Sequence, residues 1–156
     1  MKQLIALFAL TLMTSTGQAG TLIGVKSGSM PVSGAASDPQ NISLIVGYEM
    51  GIGIGDVGVE GEFSRTTSDG RTISGQAIEV ETNAVYATYR SPGMIYFLAK
   101  GGVISGDVRI GGNTVADDFD TTYGFGVGVS SGRLQIEWEY TQLDSDVDYV
   151  SIGVRF

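Results

Sequence analysis

The chain contains no cysteine and no histidine. The first absence excludes disulfides and thiol chemistry, and the second removes the commonest general base and metal ligand. Charged residues make up only 17% of the chain, with 9 bases against 17 acids and a net charge of −8. That balance argues against a nucleic-acid partner, whose phosphates require clustered Lys and Arg. No apolar run reaches the roughly 20 residues that a membrane-spanning helix needs. The longest, Leu4 to Met13, follows Lys2 and precedes Gly17-Gln18-Ala19. A basic start, a short apolar run and a small-x-small site predict a Sec signal peptide over 1–19, cleaved after Ala19. With no cysteine near the cut, a lipoprotein anchor is excluded. The expected mature chain, 20–156, is one domain. Loss of Lys2 leaves it 8 bases against 17 acids, a net charge of −9.

Glycine, by contrast, is abundant, with 24 residues. The glycines alternate with β-branched and aromatic residues, which is a strand pattern. Eight period-2 segments emerge. Their outward sets, in order, are Ile23 and Val25; Ile42, Leu44, Val46 and Tyr48; Val57, Val59 and Phe63; Val80, Ala84 and Tyr86; Ile95, Phe97, Ala99 and Val103; Tyr123, Phe125, Val127 and Val129; Leu134, Ile136, Trp138 and Tyr140; and Val150, Ile152, Val154 and Phe156. The fifth is the least clean, because Met94 and Leu98 share the polar face with Tyr96, Lys100 and Gly102. Compact turns follow the second, fourth and sixth segments, at 51–56, Ser91-Pro92-Gly93 and Ser130-Ser131-Gly132. The breaks at 27–40, 66–76 and 105–120 are longer and read as loops, and a short acidic break, 143–147, precedes the last strand. Short turns at one end and long loops at the other predict an all-β, eight-stranded antiparallel up-and-down transmembrane barrel.

Alternation alone leaves open a lipocalin-like barrel, which buries its apolar face. Three features favour the inverted arrangement. The polar faces carry acids mixed with bases: Lys26, Glu60, Glu62, Glu81, Lys100, Glu137, Glu139 and Arg155. The outward aromatics Tyr48, Tyr86, Tyr123, Trp138 and Tyr140 suit an interfacial girdle. The sequence also ends on an apolar strand whose last residue is Phe156. This ending resembles the C-terminal assembly signal of bacterial outer-membrane barrels, here Val150, Ile152, Val154 and Phe156. Tyr96-Phe97-Leu98-Ala99-Lys100-Gly101-Gly102 is similar to the Tyr-x-x-x-Lys-x-Gly strand of the small eight-stranded members: the OmpA transmembrane domain, OmpX and the opacity-type proteins. The resemblance covers the whole mature chain. It implies a Gram-negative outer-membrane location, lipid and lipopolysaccharide as surroundings, and barrel-assembly machinery and periplasmic chaperones as transient partners.

Other patterns carry less. Gly124-x-Gly126-x-Gly128 has no following helix, so it is not a nucleotide loop; its glycines make room in a narrow barrel for Glu137 and Glu139. Asp144-x-Asp146-x-Asp148 lacks the glycine and distal glutamate of an EF-hand, and with Asp117, Asp118 and Asp120 it forms a solvated acidic rim. No metal or cofactor is expected. Enzymes built on outer-membrane barrels characteristically use a histidine, and eight strands leave an interior filled by side chains, so no catalytic residue is assigned. Lys26, Glu60, Glu62, Lys100, Glu137, Glu139 and Arg155 are expected to form a charge network that plugs the lumen. The resulting expectation is a monomeric structural or surface-interaction protein; the alternative is a small cation-preferring channel.

Overall fold

The computed structural model describes residues 19–156. Apart from Ala19, the expected signal peptide lies outside the described residues. The described residues form ten strands: β1 (Ala19–Ser29), β2 (Ala35–Ser37), β3 (Gln40–Gly51), β4 (Asp56–Ser68), β5 (Gly70–Thr72), β6 (Ala77–Arg90), β7 (Ile95–Ile110), β8 (Asn113–Ser131), β9 (Leu134–Gln142) and β10 (Asp148–Arg155). Eight of them close a ring in the order β1-β3-β4-β6-β7-β8-β9-β10, every neighbour antiparallel, while β2 and β5 pair as a small extension beside β6. The first and last strands seal the ring from Gly24 opposite Arg155 to Ser29 opposite Val150. Phe156 extends the seam, because its N–H donates to the Ile23 carbonyl and its carbonyl accepts from the Ile23 N–H, both at 3.0 Å. Closure satisfies the backbone groups that an edge strand would leave unpaired.

Tight turns after β3, β6 and β8 define a turn end; the opposite, loop end carries the β2–β5 extension, the tip of the β7–β8 hairpin and the β9–β10 loop. One expected loop is in fact strand. Residues 105–120 form the arms of the β7–β8 hairpin and turn at Gly111-Gly112. Both glycines have positive φ, 59° and 82°, the geometry of the two-residue turn whose twist matches that of the flanking strands. Ile110 and Asn113 therefore pair directly, and the alternation Asp107-Val108-Arg109-Ile110 continues the sheet.

Period 2 sorts side chains to two faces. Val25, Leu44, Phe63, Phe97, Phe125 and Ile152 lie on the outer surface and are exposed. Leu134, Ile136 and Trp138 continue this apolar belt on β9. The interior has two parts. Nearer the turn end it holds buried charges, and nearer the loop end it holds an apolar plug of Met30, Ile78, Val80, Ala84, Ile104, Leu143 and Val147, with the rings of Tyr86 and Tyr149 beneath it. The expectation of a polar interior throughout is thus corrected in the loop half, where the β9–β10 loop folds Leu143 and Val147 over the opening.

Candidate functional site: an ion-paired lumen

Among the described residues, five acids and four bases meet inside the barrel, in two tiers. In the lower tier Arg90 and Arg155 stand among Glu49, Glu60 and Glu137. Arg90 grips Glu137 with two nitrogens, Nε to Oε1 at 2.7 Å and Nη2 to Oε2 at 3.4 Å, and places Nη2 2.7 Å from Glu60 Oε1. Arg155 Nη1 donates to the same Glu60 oxygen at 2.7 Å, and its Nη2 donates to Gln135 at 2.8 Å and to Glu49 at 3.3 Å. The Tyr96 hydroxyl donates to Glu137 at 2.9 Å. In the upper tier Lys26 and Lys100 share Glu62 and Glu139. Lys26 Nζ lies 2.8 Å from Glu62 and 3.1 Å from Glu139, and Lys100 Nζ lies 2.5 Å from Glu139 and 3.5 Å from Glu62. Each ammonium also faces a tyrosine ring, Lys100 at 4.4 Å from the Tyr86 centroid and Lys26 at 5.0 Å from that of Tyr149. That geometry adds cation–π attraction from a desolvated face. The Tyr149 hydroxyl in turn accepts from Ser43 at 3.2 Å.

Glycine positions make this arrangement fit. A Cβ on Gly128 would lie 2.3 Å from the Tyr96 ring, one on Gly124 2.9 Å from the Lys100 side chain, and one on Gly126 3.2 Å from that of Glu139. The bare face of β8 therefore receives side chains from both neighbouring strands, β7 as well as β9.

Of the residues expected in the lumen, Lys26, Glu60, Glu62, Lys100, Glu137, Glu139 and Arg155 all lie inside. Glu81 does not. It projects from β6 near the loop end, 3.7 Å from Arg109, with the side chains of both partly exposed. Two members were missed. Arg90 and Glu49 face inward, and the signal for Arg90 was its parity with Thr82 and Thr88 on β6. The face expected to point outward on β6 is inverted: Val80, Ala84 and Tyr86 are buried, while Val85 and Tyr89 are exposed. Tyr86 is therefore no part of a girdle. Its ring caps Lys100 inside the barrel. Tyr48, Tyr123 and Trp138 lie on the outer surface, and Tyr140 packs its ring 5.2 Å from that of Phe125 while donating to Asp148 at 2.8 Å. Tyr89, on the outer surface near the turn end, donates to the Ile54 carbonyl at 2.8 Å. In β10, Ile152 and Phe156 are exposed, Val150 and Val154 are half-buried on the same face, and Tyr149, Ser151 and Arg155 point inward.

The side chains of Lys26 and Glu137 are wholly shielded from solvent, so a water-sized sphere does not reach the centre of the lumen. Among the described residues no cluster of His, Cys, Asp or Glu has the geometry of a metal site.

No family model matches the sequence, and no curated protein matches it. Solved structures do. Neisserial surface protein A (NspA) superposes with a TM-score of 0.57 at 13% identity, over 89% of this chain and 98% of that one. Ail, the attachment invasion locus protein of Yersinia pestis, superposes with a TM-score of 0.57 at 18% identity, over 91% of this chain and all of the other. Ail has also been crystallised with the heparin analogue sucrose octasulfate, and that structure matches at a TM-score of 0.56. The polar, ion-paired interior, the apolar exterior and these superpositions agree on one architecture: the closed eight-stranded β-barrel of the small outer-membrane proteins.

Proposed function

We propose that the protein is an integral outer-membrane barrel of a Gram-negative bacterium, exported through Sec, that serves a structural or surface-interaction role with its lumen closed. The observation that carries the reading is the pairing of an apolar outer belt with a solvent-shielded ion network. A protein in water would gain by burying Phe63, Phe97, Phe125 and Trp138, whereas hydrocarbon requires them outside and every backbone polar group paired within the ring. The partners that follow are lipid and lipopolysaccharide around the belt, with assembly machinery and chaperones during insertion. The barrel is read as a monomer without catalytic activity and without a nucleic-acid partner.

The loop end limits what a surface role can recognise. Of the 17 acids and 9 bases of the chain, five and four pair in the lumen. Asp56 and Arg133 sit at the turn end, and Lys2 lies outside the described residues. The loop half therefore holds eleven acids against Arg65, Arg71 and Arg109, and its net charge of −8 is that of the whole chain. A sulfated polyanion of the kind crystallised with Ail would be repelled there.

The second reading, a small cation channel, draws on the one excess carboxylate of the lumen. Planar-bilayer recording separates the two. Closed bilayers with only rare, small, cation-selective openings support the plugged barrel; a large steady conductance overturns it in favour of the channel.

A further inference from the structure

A cavity of about 360 Å³ opens at the loop end, above the apolar plug and apart from the ion network. One wall is the inner face of β6, β7 and β8, where Thr82 stands opposite Gly106 and Ile104 opposite Asp120. The other wall is the β9–β10 loop, which contributes Leu143, Asp144 and Val147. Gly106 helps to create the space, since a Cβ there would lie 2.9 Å from the Thr82 methyl. The volume falls at the small end of the range for pockets that hold organic ligands, about 300–1,000 Å³, and the lining sets apolar side chains such as Ile104, Leu143 and Val147 beside Thr82, Asp120 and Asp144.

Three polar groups converge on this space. Thr82 is 7% exposed and lines the cavity, and its hydroxyl, open to that space, makes no hydrogen bond among the described residues. Asp120 and Asp144 each use one carboxylate oxygen to accept the N–H of the following residue, Thr121 at 2.6 Å and Ser145 at 2.5 Å. The second oxygen of each has no partner among the described residues.

We propose that this cavity binds a small organic cation with an apolar body. An ammonium or guanidinium head would donate to Asp120, Asp144 and the Thr82 hydroxyl, while the body lies against Ile104, Leu143 and Val147. The −8 field of the loop half concentrates cations at the opening and disfavours anions. The occupant needs both parts, because the floor gives a bare polyamine nothing to bury and the rim gives a neutral hydrocarbon no anchor. The site goes beyond the structural role, and it stands whether the lumen is closed or conducts.

The test uses the full mature barrel in zwitterionic lipid nanodiscs, with empty nanodiscs as the partition control. The probe is 2-phenylethylammonium, and the readout is methyl NMR. Saturable 1:1 shifts confined to Ile104, Leu143, Val147 and Val80 are expected. Asp144→Asn and Asp120→Asn should each weaken binding roughly tenfold, the loss of one charge-assisted hydrogen bond. Both residues are exposed, and heat-modifiable migration of the same samples reports separately that the barrel is intact. Absence of saturable shifts overturns the proposal. So does equal binding of 3-phenylpropionate or spermidine, or binding unchanged in both variants.

Discussion

Replacing Lys100 by methionine removes a charge and little else. The thioether keeps most of the length of the lysine stem, so the backbone of β7 and the space left by Gly124 are preserved. What disappears is the ammonium 2.5 Å from Glu139 and 3.5 Å from Glu62, together with its contact with the Tyr86 ring. Removing one partner of a buried ion pair costs about 3–5 kcal/mol, because the charge that remains has no water to turn to. Here Lys26 stays within 3.1 Å of both carboxylates, which holds the expected loss near the lower end, about 3 kcal/mol. The double variant Lys100→Met/Glu139→Gln removes the stranded charge as well and should recover about half of the loss, a coupling that a double-mutant cycle measures directly. Urea unfolding from lipid vesicles, followed by the fluorescence of the single tryptophan, gives the free energies. A loss below about 0.5 kcal/mol for Lys100→Met, beneath the range for buried pairs, would mean that water reaches the upper tier and that the lumen is open.

The closed ring should also make the protein heat-modifiable: in SDS without boiling it should run anomalously on a gel, since no free edge is available for unravelling, and identical mobility before and after boiling would contradict closure. Deleting Phe156 removes an exposed outer ring, worth about 1.5–3 kcal/mol of burial, and both backbone bonds to Ile23; membrane levels in cells should fall sharply, whereas the refolded protein should lose only that modest stability. Gly128→Leu should expel the Tyr96 ring and break its bond to Glu137, costing about 1–3 kcal/mol for overpacking, measured in the same urea assay; no loss would mean that the ring has room elsewhere.

The sequence made the ring legible because lipid and lumen impose opposite chemistries on alternate residues. β8 shows this best, with Tyr123, Phe125, Val127 and Val129 interleaved by glycine. It also disclosed the lumen charges on β4, β9 and β10, whose polar and apolar sets do not mix. β6 was misread for a physical reason. Its inner face runs from the apolar plug at Ile78, Val80 and Ala84, through Tyr86, to Arg90 at the ion network, while its outer face carries Val85, Ala87 and Tyr89, so both faces look apolar. Polarity near the turn end was the better guide. Arg90 lies on the outer-belt face only if a guanidinium faces hydrocarbon, whereas Glu81, near the loop end, can project outward beside Arg109. The plug was hidden for a similar reason: Leu143 and Val147 sit in an acidic break, and only the fold shows that the loop turns them inward. The hairpin at 105–120 read as a loop because its glycines and aspartates are turn formers, yet Gly111 and Gly112 confine the turn to two residues.

The outer belt of a membrane barrel must meet lipid. Trp138 is the only tryptophan, and it lies on that belt, half exposed on the outer face of β9 between the inward-pointing Glu137 and Glu139. Its fluorescence reports the belt directly. In vesicles of brominated phosphatidylcholine the emission should be strongly quenched, and aqueous acrylamide should have little effect. Quenching by acrylamide with none from the brominated chains would place Trp138 in water and contradict the account.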